Sequence, residues 1–425
     1  MRNLLILGGG TAGTMMANKL AHALNERDWQ ITVVDSSEEH FYQPGFLFVP
    51  FGSYRLKEIV KPRRKYLPKG VKLVVSAIDR IETERNEVTL ADRSVLKYDY
   101  LIIATGAEIH PEQTEGMLDE EWGKTKCDFY TPTGAERLGE ILKGWQGGKL
   151  VVSITEMPIK CPVAPLEFLF LADSYFTKRG MRDKVDLHLV TPLSGAFTRH
   201  TCNLVLSEFL VRKKITVTPD FNLARVDSKE KKLIAWDETE VDYDLLVSVP
   251  TNMGDACIER SGLGNELNFV PTDKETLVAD GLTNVFVLGD ATNLPASKAG
   301  SVAHFQAEIL TKNFLAMAEG RELPARFDGH ANCFIESGFG KGLLIDFNYE
   351  TEPLPGLYPL PIVGPFPLLK ESRINHWGKL MFRWFYWNVL LPGYDLPIGS
   401  AMSMAGKKLI KDIPGAHDTS IHSAD

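Results

Sequence analysis

Leu4-Leu5-Ile6-Leu7-Gly8-Gly9-Gly10-Thr11-Ala12-Gly13 is a short apolar run that breaks into a glycine-rich turn. Thr14-Met15-Met16-Ala17-Asn18-Lys19-Leu20 follows with apolar residues at helical spacing, and Ile31-Thr32-Val33-Val34 closes the unit as a second strand ending on Asp35. Strand, turn, helix and strand in this order form the βαβ unit of dinucleotide binding. Gly8 permits the tight turn, Gly10 lets a pyrophosphate reach the backbone, and Gly13 lets helix and strand pack closely. With Thr11, the helix N-terminus then presents free N–H groups to the phosphates. Asp35 stands at the usual separation for a carboxylate that accepts from ribose hydroxyls.

Outward from this unit, Val71–Val75 and Tyr98–Ala104 read as further strands of the same sheet. A second α/β block begins with the strand Leu150–Ile154, continues through the helical stretch Leu166–Ala172, and reaches the strand Val185–Val190. Asn284–Asp290 resumes the first pattern, and a helix over 299–317 follows. The expected fold is α/β: two Rossmann-like domains, the second inserted into the first. The boundaries read as 1–110 with 275–325 for the first, 111–274 for the second, 326–406 for a C-terminal region, and 407–425 for a polar, disordered tail.

Composition narrows the function classes. A net charge of −8 offers no basic footprint for nucleic acid. No run of about 20 apolar residues exists to span a bilayer, and the N-terminus does not read as a secretory leader. The five cysteines, Cys127, Cys161, Cys202, Cys257 and Cys333, are scattered without a CxxC, which disfavours a metal site or a disulfide framework. The spacing still permits a redox pair that only the fold brings together.

Two later motifs narrow the cofactor. Tyr98 to Ala107 contains Ala104-Thr105-Gly106, and Asn284 to Asp290 ends in Gly289-Asp290. With the opening turn, these resemble the FAD domain of the two-dinucleotide-domain flavoproteins. The resemblance implies FAD as cofactor, with Ser36 and Ala77 also at its site. In pyridine-nucleotide members the second domain opens on another glycine-rich turn. Here Leu150–Ile154 runs into Thr155-Glu156-Met157-Pro158-Ile159-Lys160-Cys161-Pro162, with no glycine for a pyrophosphate to approach. NAD(P)H is therefore not expected as the electron donor.

Lys160-Cys161-Pro162-Val163-Ala164-Pro165-Leu166-Glu167, Cys333-Phe334 with Gly338-Phe339-Gly340-Lys341, and Leu294 to Gly300 resemble segments of the sulfide:quinone oxidoreductases. The resemblance covers most of the chain. It implies oxidation of sulfide to polysulfide or elemental sulfur, with two electrons passed through FAD to a membrane quinone. Cys161 and Cys333 would be the redox pair, open to attack by hydrosulfide through thiol–disulfide exchange. Glu167 would shuttle protons, although a solvated helix carboxylate is the plainer reading. If Cys161 begins the helix, Glu167 falls nearly two turns on, roughly on the same face. His200 resembles a family histidine near the cysteines; a lone loop histidine is more often just exposed. Lys298 resembles a lysine near flavin and quinone, or is a surface lysine. Cys127 lies where some members carry a thiol close to the flavin, but the family's partner histidine is missing, since Asp128-Phe129-Tyr130-Thr131 stands there. Cys202 and Cys257 read as structural. Phe334, Phe339 and Phe385 are the aromatics expected to sandwich the quinone.

His376 to Leu391 is rich in aromatics. Trp377, Leu380, Met381, Trp384 and Phe385 fall at helical spacing and suit a core. Phe382, Tyr386, Trp387 and Val389 cover another face, with Lys379 and Arg383 as a narrow cationic edge. A helix apolar almost all round suits a bilayer surface and a monotopic, membrane-associated protein. The apolar, proline-rich stretch 357–369 is a second expected contact. Assembly with identical chains stays open. The rivals are a type II NADH:quinone dehydrogenase, the flavin subunit of a sulfide dehydrogenase that reduces cytochrome c, and a flavin-binding redox sensor without turnover.

Overall fold

The computed structural model describes residues 1–360, 364–395 and 399–409; the expected tail beyond 409 and part of the proline-rich stretch (361–363) lie outside them. Seven α-helices occur among the described residues: α1 (Thr11–Ala23), α2 (Pro132–Gly144), α3 (Ala164–Lys178), α4 (His200–Arg212), α5 (Ala256–Arg260), α6 (Gly300–Ala318) and α7 (Arg373–Phe385).

The first sheet has five parallel strands, in the order Val285–Val287, Tyr100–Ile103, Arg2–Leu7, Trp29–Asp35 and Lys72–Val75. α1 and α6 pack together beside it. The second sheet is also parallel, in the order Lys126–Cys127, Leu245–Val249, Gly148–Ile154, Val185–Val190 and Ile215–Thr218. Parallel strands carry cover on both faces, so they read as unbroken Val/Ile/Leu runs; Leu150, Val151 and Val152 are fully buried. All five strands of the second sheet fall between Ile103 and Val285, so one Rossmann-like unit is inserted in the other.

Beyond α6 an antiparallel hairpin, Ala331–Gly338 with Lys341–Phe347, runs along α3, and α7 packs on its other side. Sequence reading passed over this hairpin. Its tip, Gly338-Phe339-Gly340, holds Phe339 in the left-handed region at φ 54°.

α7 is oriented differently from the expectation. Its inner face carries the buried Asn375 and Gly378, with Lys379 and Phe382 half-buried beside them. Ile374, Trp377, Met381 and Trp384 are exposed, Trp377 at 65%. Tyr386 and Trp387, placed by sequence on a second apolar face of the helix, lie in a wider turn over Tyr386–Leu390 and are buried. Lys379 and Arg383 are not a solvated stripe. Lys379 points inward, and the Arg383 guanidinium sits 4.3 Å over the Tyr54 ring. Gly378 has no side chain because a Cβ there would meet the Phe334 ring at 2.7 Å. A helix whose small and polar residues face inward inverts the usual amphipathic rule.

Candidate active site

The turn after the first strand is built as its glycines predict. Gly8 adopts φ +91°, and a Cβ on Gly13 would lie 1.8 Å from the Gly8 carbonyl oxygen. Only glycine allows that approach of α1 to the strand. A Cβ on Gly10 would meet nothing within 4 Å, and the same holds at Gly106. The Gly9 amide donates to Asp35 Oδ2 at 2.7 Å, and Arg63 Nη2 donates to Asp35 Oδ1 at 2.9 Å. Arg63, which sequence reading missed, leaves its Nη1 buried without a partner, as Thr105 leaves its hydroxyl. Unpaired buried donors cost about 1–3 kcal/mol each, so their persistence beside an open cradle points to a ligand that accepts from them.

His40 ties this turn to the C-terminal region. Burial, and then the Arg63 charge, pull its pKa down to about 3, so the ring is neutral. Its Nδ1 lies 3.2 Å from the Gly9 carbonyl, which can only accept, so Nδ1 carries the proton. Nε2 then accepts from the Tyr386 hydroxyl at 2.6 Å, leaving the Thr11 hydroxyl to donate to Tyr386 at 2.7 Å.

Across the sheet, Gly289 sits at φ +71° with its amide donating to Gln306 Oε1 at 2.7 Å. Burial pushes the Asp290 carboxyl up, while Lys298 and Lys160 pull it back. Lys298 is not a surface lysine. Its ammonium donates to the carbonyls of Asp290 (2.8 Å) and Thr292 (2.7 Å), and burial lowers its pKa to about 8. It is a strut of the loop, and its own carbonyl accepts from the Cys161 amide at 2.7 Å. Ser36 and Ala77 are both exposed, at the ends of the strands Trp29–Asp35 and Lys72–Val75.

The two candidate redox cysteines lie between α3, the hairpin and α7. Cys161 does not begin α3, which starts at Ala164; it stands three residues before, in the left-handed region at φ 48°. A non-glycine residue there costs backbone energy that the surroundings must impose. Here the imposed bonds are from the Cys161 amide to Lys298 and from the Ala164 amide to the Cys161 carbonyl at 2.8 Å. Cys333 lies on the hairpin strand opposite Ile345, and both cysteines are half-buried free thiols. Burial pushes the Cys161 thiol well up and the Cys333 thiol to about 12; Glu167 raises both further, and Lys379 pulls both down.

Glu167 is fully buried, not solvated. Its Oε1 accepts from Lys379 Nζ at 2.8 Å and from the Glu336 amide at 2.7 Å, while Oε2 is buried without a partner. Lys379 also donates to the Phe334 carbonyl at 2.8 Å. Burial works against the lysine's charge, but Glu167 and Cys161 outweigh it and hold Lys379 protonated. Glu336, itself buried, contacts His376 Nδ1 through both carboxylate oxygens at 2.9 Å, and His376 reaches the partly exposed side of α7. Glu336, Lys379 and His376 were all missed as site residues. Only the pairing of α7 with the hairpin brings them to the cysteines.

The remaining expectations separate. Phe334 lies at the site, edge-on to Phe366 at 5.2 Å. Phe339 does not, since it is 46% exposed at the hairpin tip, about 20 Å along the strand from Cys333. Phe385 is half-buried beside Trp384. His200 is exposed as the first residue of α4 rather than in a loop, and no bond joins it to the cysteines; Cys202 on the same turn is the buried thiol that Cys333 feels. Cys127 is buried, donates to the Gly134 carbonyl at 3.3 Å, and is pushed up to about 12 by burial and then Asp128.

Residues 2–149 match the family described as pyridine nucleotide-disulphide oxidoreductase. The chain is 30% identical over 396 residues to the mitochondrial sulfide:quinone oxidoreductase of Dictyostelium discoideum, covering 92% of this chain and 86% of that one. It is 29% identical over 399 residues to the mitochondrial enzyme of that name from Mus musculus, with the same coverage. The crystal structure of the sulfide:quinone oxidoreductase of Aquifex aeolicus shares the fold, with a TM-score of 0.77 at 18% identity over 93% of this chain and 92% of that one. Identity sustained across nearly the whole of both chains, on a shared fold, makes this chain an oxidoreductase that belongs to the sulfide:quinone oxidoreductase family.

Proposed function

We propose that this protein oxidises hydrosulfide to polysulfide or elemental sulfur and delivers the electrons to a membrane quinone. The observation that carries the reading is the buried ion pair Lys379–Glu167, which ties α3, just after Cys161, to the Phe334 carbonyl next to Cys333. In the oxidised pair, hydrosulfide bonds to one cysteine sulfur and the other leaves as thiolate. Lys379, held charged, stabilises that thiolate against the cost of burial. A second hydrosulfide takes the bound sulfur as a disulfide anion and leaves one thiol and one thiolate. Closing them again into a disulfide releases two electrons and one proton. Glu167, its carboxyl raised by burial, receives the proton, and Glu336 with His376 lies between it and the surface. Bound FAD supplies the acceptor for the electron pair and its path to the quinone. Residues Gly8, Gly10, Thr11, Gly13, Asp35, Ala104, Thr105, Gly106, Gly289 and Asp290 would hold it, with Arg63 as an added donor. Phe334 is the aromatic best placed for the quinone ring. We read 1–110 with 275–325 as the cofactor domain, 111–274 as the inserted domain, and 326–406 as the quinone and membrane region.

None of the described helices is long and apolar enough to cross a bilayer. The exposed stripe Ile374, Trp377, Met381 and Trp384 would rest in the lipid interface, where indole rings settle.

Anaerobic titration with sulfide is expected to bleach the flavin, and added quinone to restore it. A flavin that stays oxidised under sulfide overturns the reading, and bleaching by NADH alone would put a type II NADH dehydrogenase in its place. Gly13→Ala is expected to yield folded protein without the visible flavin absorbance, because the 1.8 Å approach forces the turn apart.

A further inference from the structure

A cleft of about 850 Å³ opens away from the sulfur site, at the far end of the exposed stripe on α7. It lies among the starts of the strands Gly148–Ile154 and Val185–Val190, the C-terminal end of α4, and the ring of Phe339. Its lining is cationic on a chain of net charge −8: Lys149, Arg182, Lys184, Arg212, Lys213 and Lys214 stand against three carboxylates. One of the three, Asp173, is taken up by Arg182 at 2.8 Å and Lys213 at 3.1 Å. Arg182 in turn donates to the carbonyls of Lys213 and Lys214, which fixes the end of α4. Lys184, Arg212 and Lys214 remain exposed.

The cleft joins the apolar stripe. The Lys213 ammonium sits 4.9 Å over the Phe339 ring. Phe339 projects at positive φ from the hairpin tip, an apolar side chain on the rim of a charged cleft. Gly342 and Ser372 exchange backbone hydrogen bonds at 3.0 and 2.9 Å, so the tip abuts the start of α7. Glu371 there meets Lys341 at 3.4 Å and Arg212 at 3.6 Å. Arg373 and Ile374 follow, both exposed. The apolar row from Trp384 to Ile374 thus ends at the Glu371–Lys341 pair, beyond which stand Phe339 and the basic hollow.

We propose that this cleft receives the phosphate headgroup of an anionic phospholipid, with Phe339 inserted beside its acyl chains. The proposal rests on the reading that α7 lies on a bilayer, and adds that the bilayer is recognised by charge at one built place. Lys184, Arg212 and Lys214 meet the phosphate; Asp173 keeps Arg182 and Lys213 in position beneath. A basic side chain near an anionic membrane strengthens binding about five-fold, and the effect falls with ionic strength.

The test is co-sedimentation of the FAD-loaded protein with vesicles of phosphatidylcholine alone and with added phosphatidylglycerol. Partition is expected to both, several-fold stronger to the anionic vesicles at low salt. Lys184→Gln/Arg212→Gln/Lys214→Gln is expected to lose that difference while keeping neutral-vesicle partition and sulfide-driven flavin reduction. Lys69→Gln/Lys72→Gln/Lys97→Gln, equal in charge removed but exposed on the first α/β unit and outside the cleft lining, is expected to keep it. Trp377→Ser is expected to weaken partition to both vesicles. Equal wild-type partition to the two vesicles, a preference kept by the cleft variant, or an equal loss in the remote variant overturns the cleft. No partition to either vesicle overturns the bilayer reading and the cleft together.

Discussion

Replacing Cys161 or Cys333 by serine is expected to slow sulfide-driven flavin reduction by about a thousand-fold or more while leaving the flavin bound. Serine keeps the shape but cannot form the sulfur–sulfur bond that hydrosulfide attacks, and residues that act as one unit fail together. The double variant is therefore expected to be no slower than either single one. Stopped-flow absorbance of the flavin under anaerobic sulfide measures the rate, and the ratio of visible to protein absorbance measures occupancy. The separation of the two readouts follows from the fold. Cys161 lies before α3 and Cys333 on the hairpin, whereas the glycine turn is built by the first strand and α1. Normal turnover in both variants would remove the disulfide from the mechanism. A serine variant that has lost its flavin would mean that the thiols hold the cofactor turn.

Lys379→Met is expected to cost about 3–5 kcal/mol of stability at neutral pH, the loss seen when one partner of a buried ion pair is removed. Glu167 would then be a fully buried carboxyl with no cation beside it. Burial already holds its pKa above the ordinary value, and removal of Lys379 raises it further. A carboxyl with a raised folded pKa binds its proton more tightly in the fold than in the unfolded chain. The variant is therefore least impaired near the ordinary glutamate value of about 4.3, and loses stability as pH rises from there toward the folded value. Urea unfolding at a series of pH values reads this directly. Lys379→Met/Glu167→Gln removes the titrating group and is expected to recover most of the loss with a flat pH dependence. A single variant as stable as wild type at pH 8 would mean that water reaches Glu167.

The scaffold was legible because its signals are local. A glycine turn between an apolar strand and a helix, an acidic residue ending the next strand, and a late strand repeating the first pattern each occupy a few consecutive residues. Within the candidate site, sequence marks residues whose chemistry is rare or whose segment resembles a known one, as at Cys161, Cys333 and Glu167. Glu336 and Lys379 carry no local mark. One sits in a hairpin that sequence reading passed over, the other on a helix where lysine beside aromatics suggests a wet edge. Periodicity divides α7 into faces but cannot say which face turns inward when both are apolar. The hairpin decides it, because only Gly378 lets the helix approach Phe334. The burial of Glu167 was hidden for the same reason, which left its proton-shuttle and solvated readings both open: its partners lie 169 and 212 positions away. Phe339 failed in the opposite sense, being near Cys333 in sequence and far from it along an extended strand.

The Tyr386 hydroxyl, held between Thr11 on the glycine turn and His40 beside it, joins the end of α7 to the glycine turn, and the His40 ring packs on Tyr386 and Trp387. Two binding events that share such a joint obey reciprocity: whatever free energy occupancy of the cradle adds to the seating of α7, the seating of α7 returns to occupancy. Where a filled cradle steadies this joint, a chain emptied of its nucleotide would grip a surface less firmly, and one lifted from that surface would surrender its nucleotide more easily. On the proposed reading, retention of the coenzyme and residence at the interface would be linked equilibria, with Tyr386 at their joint.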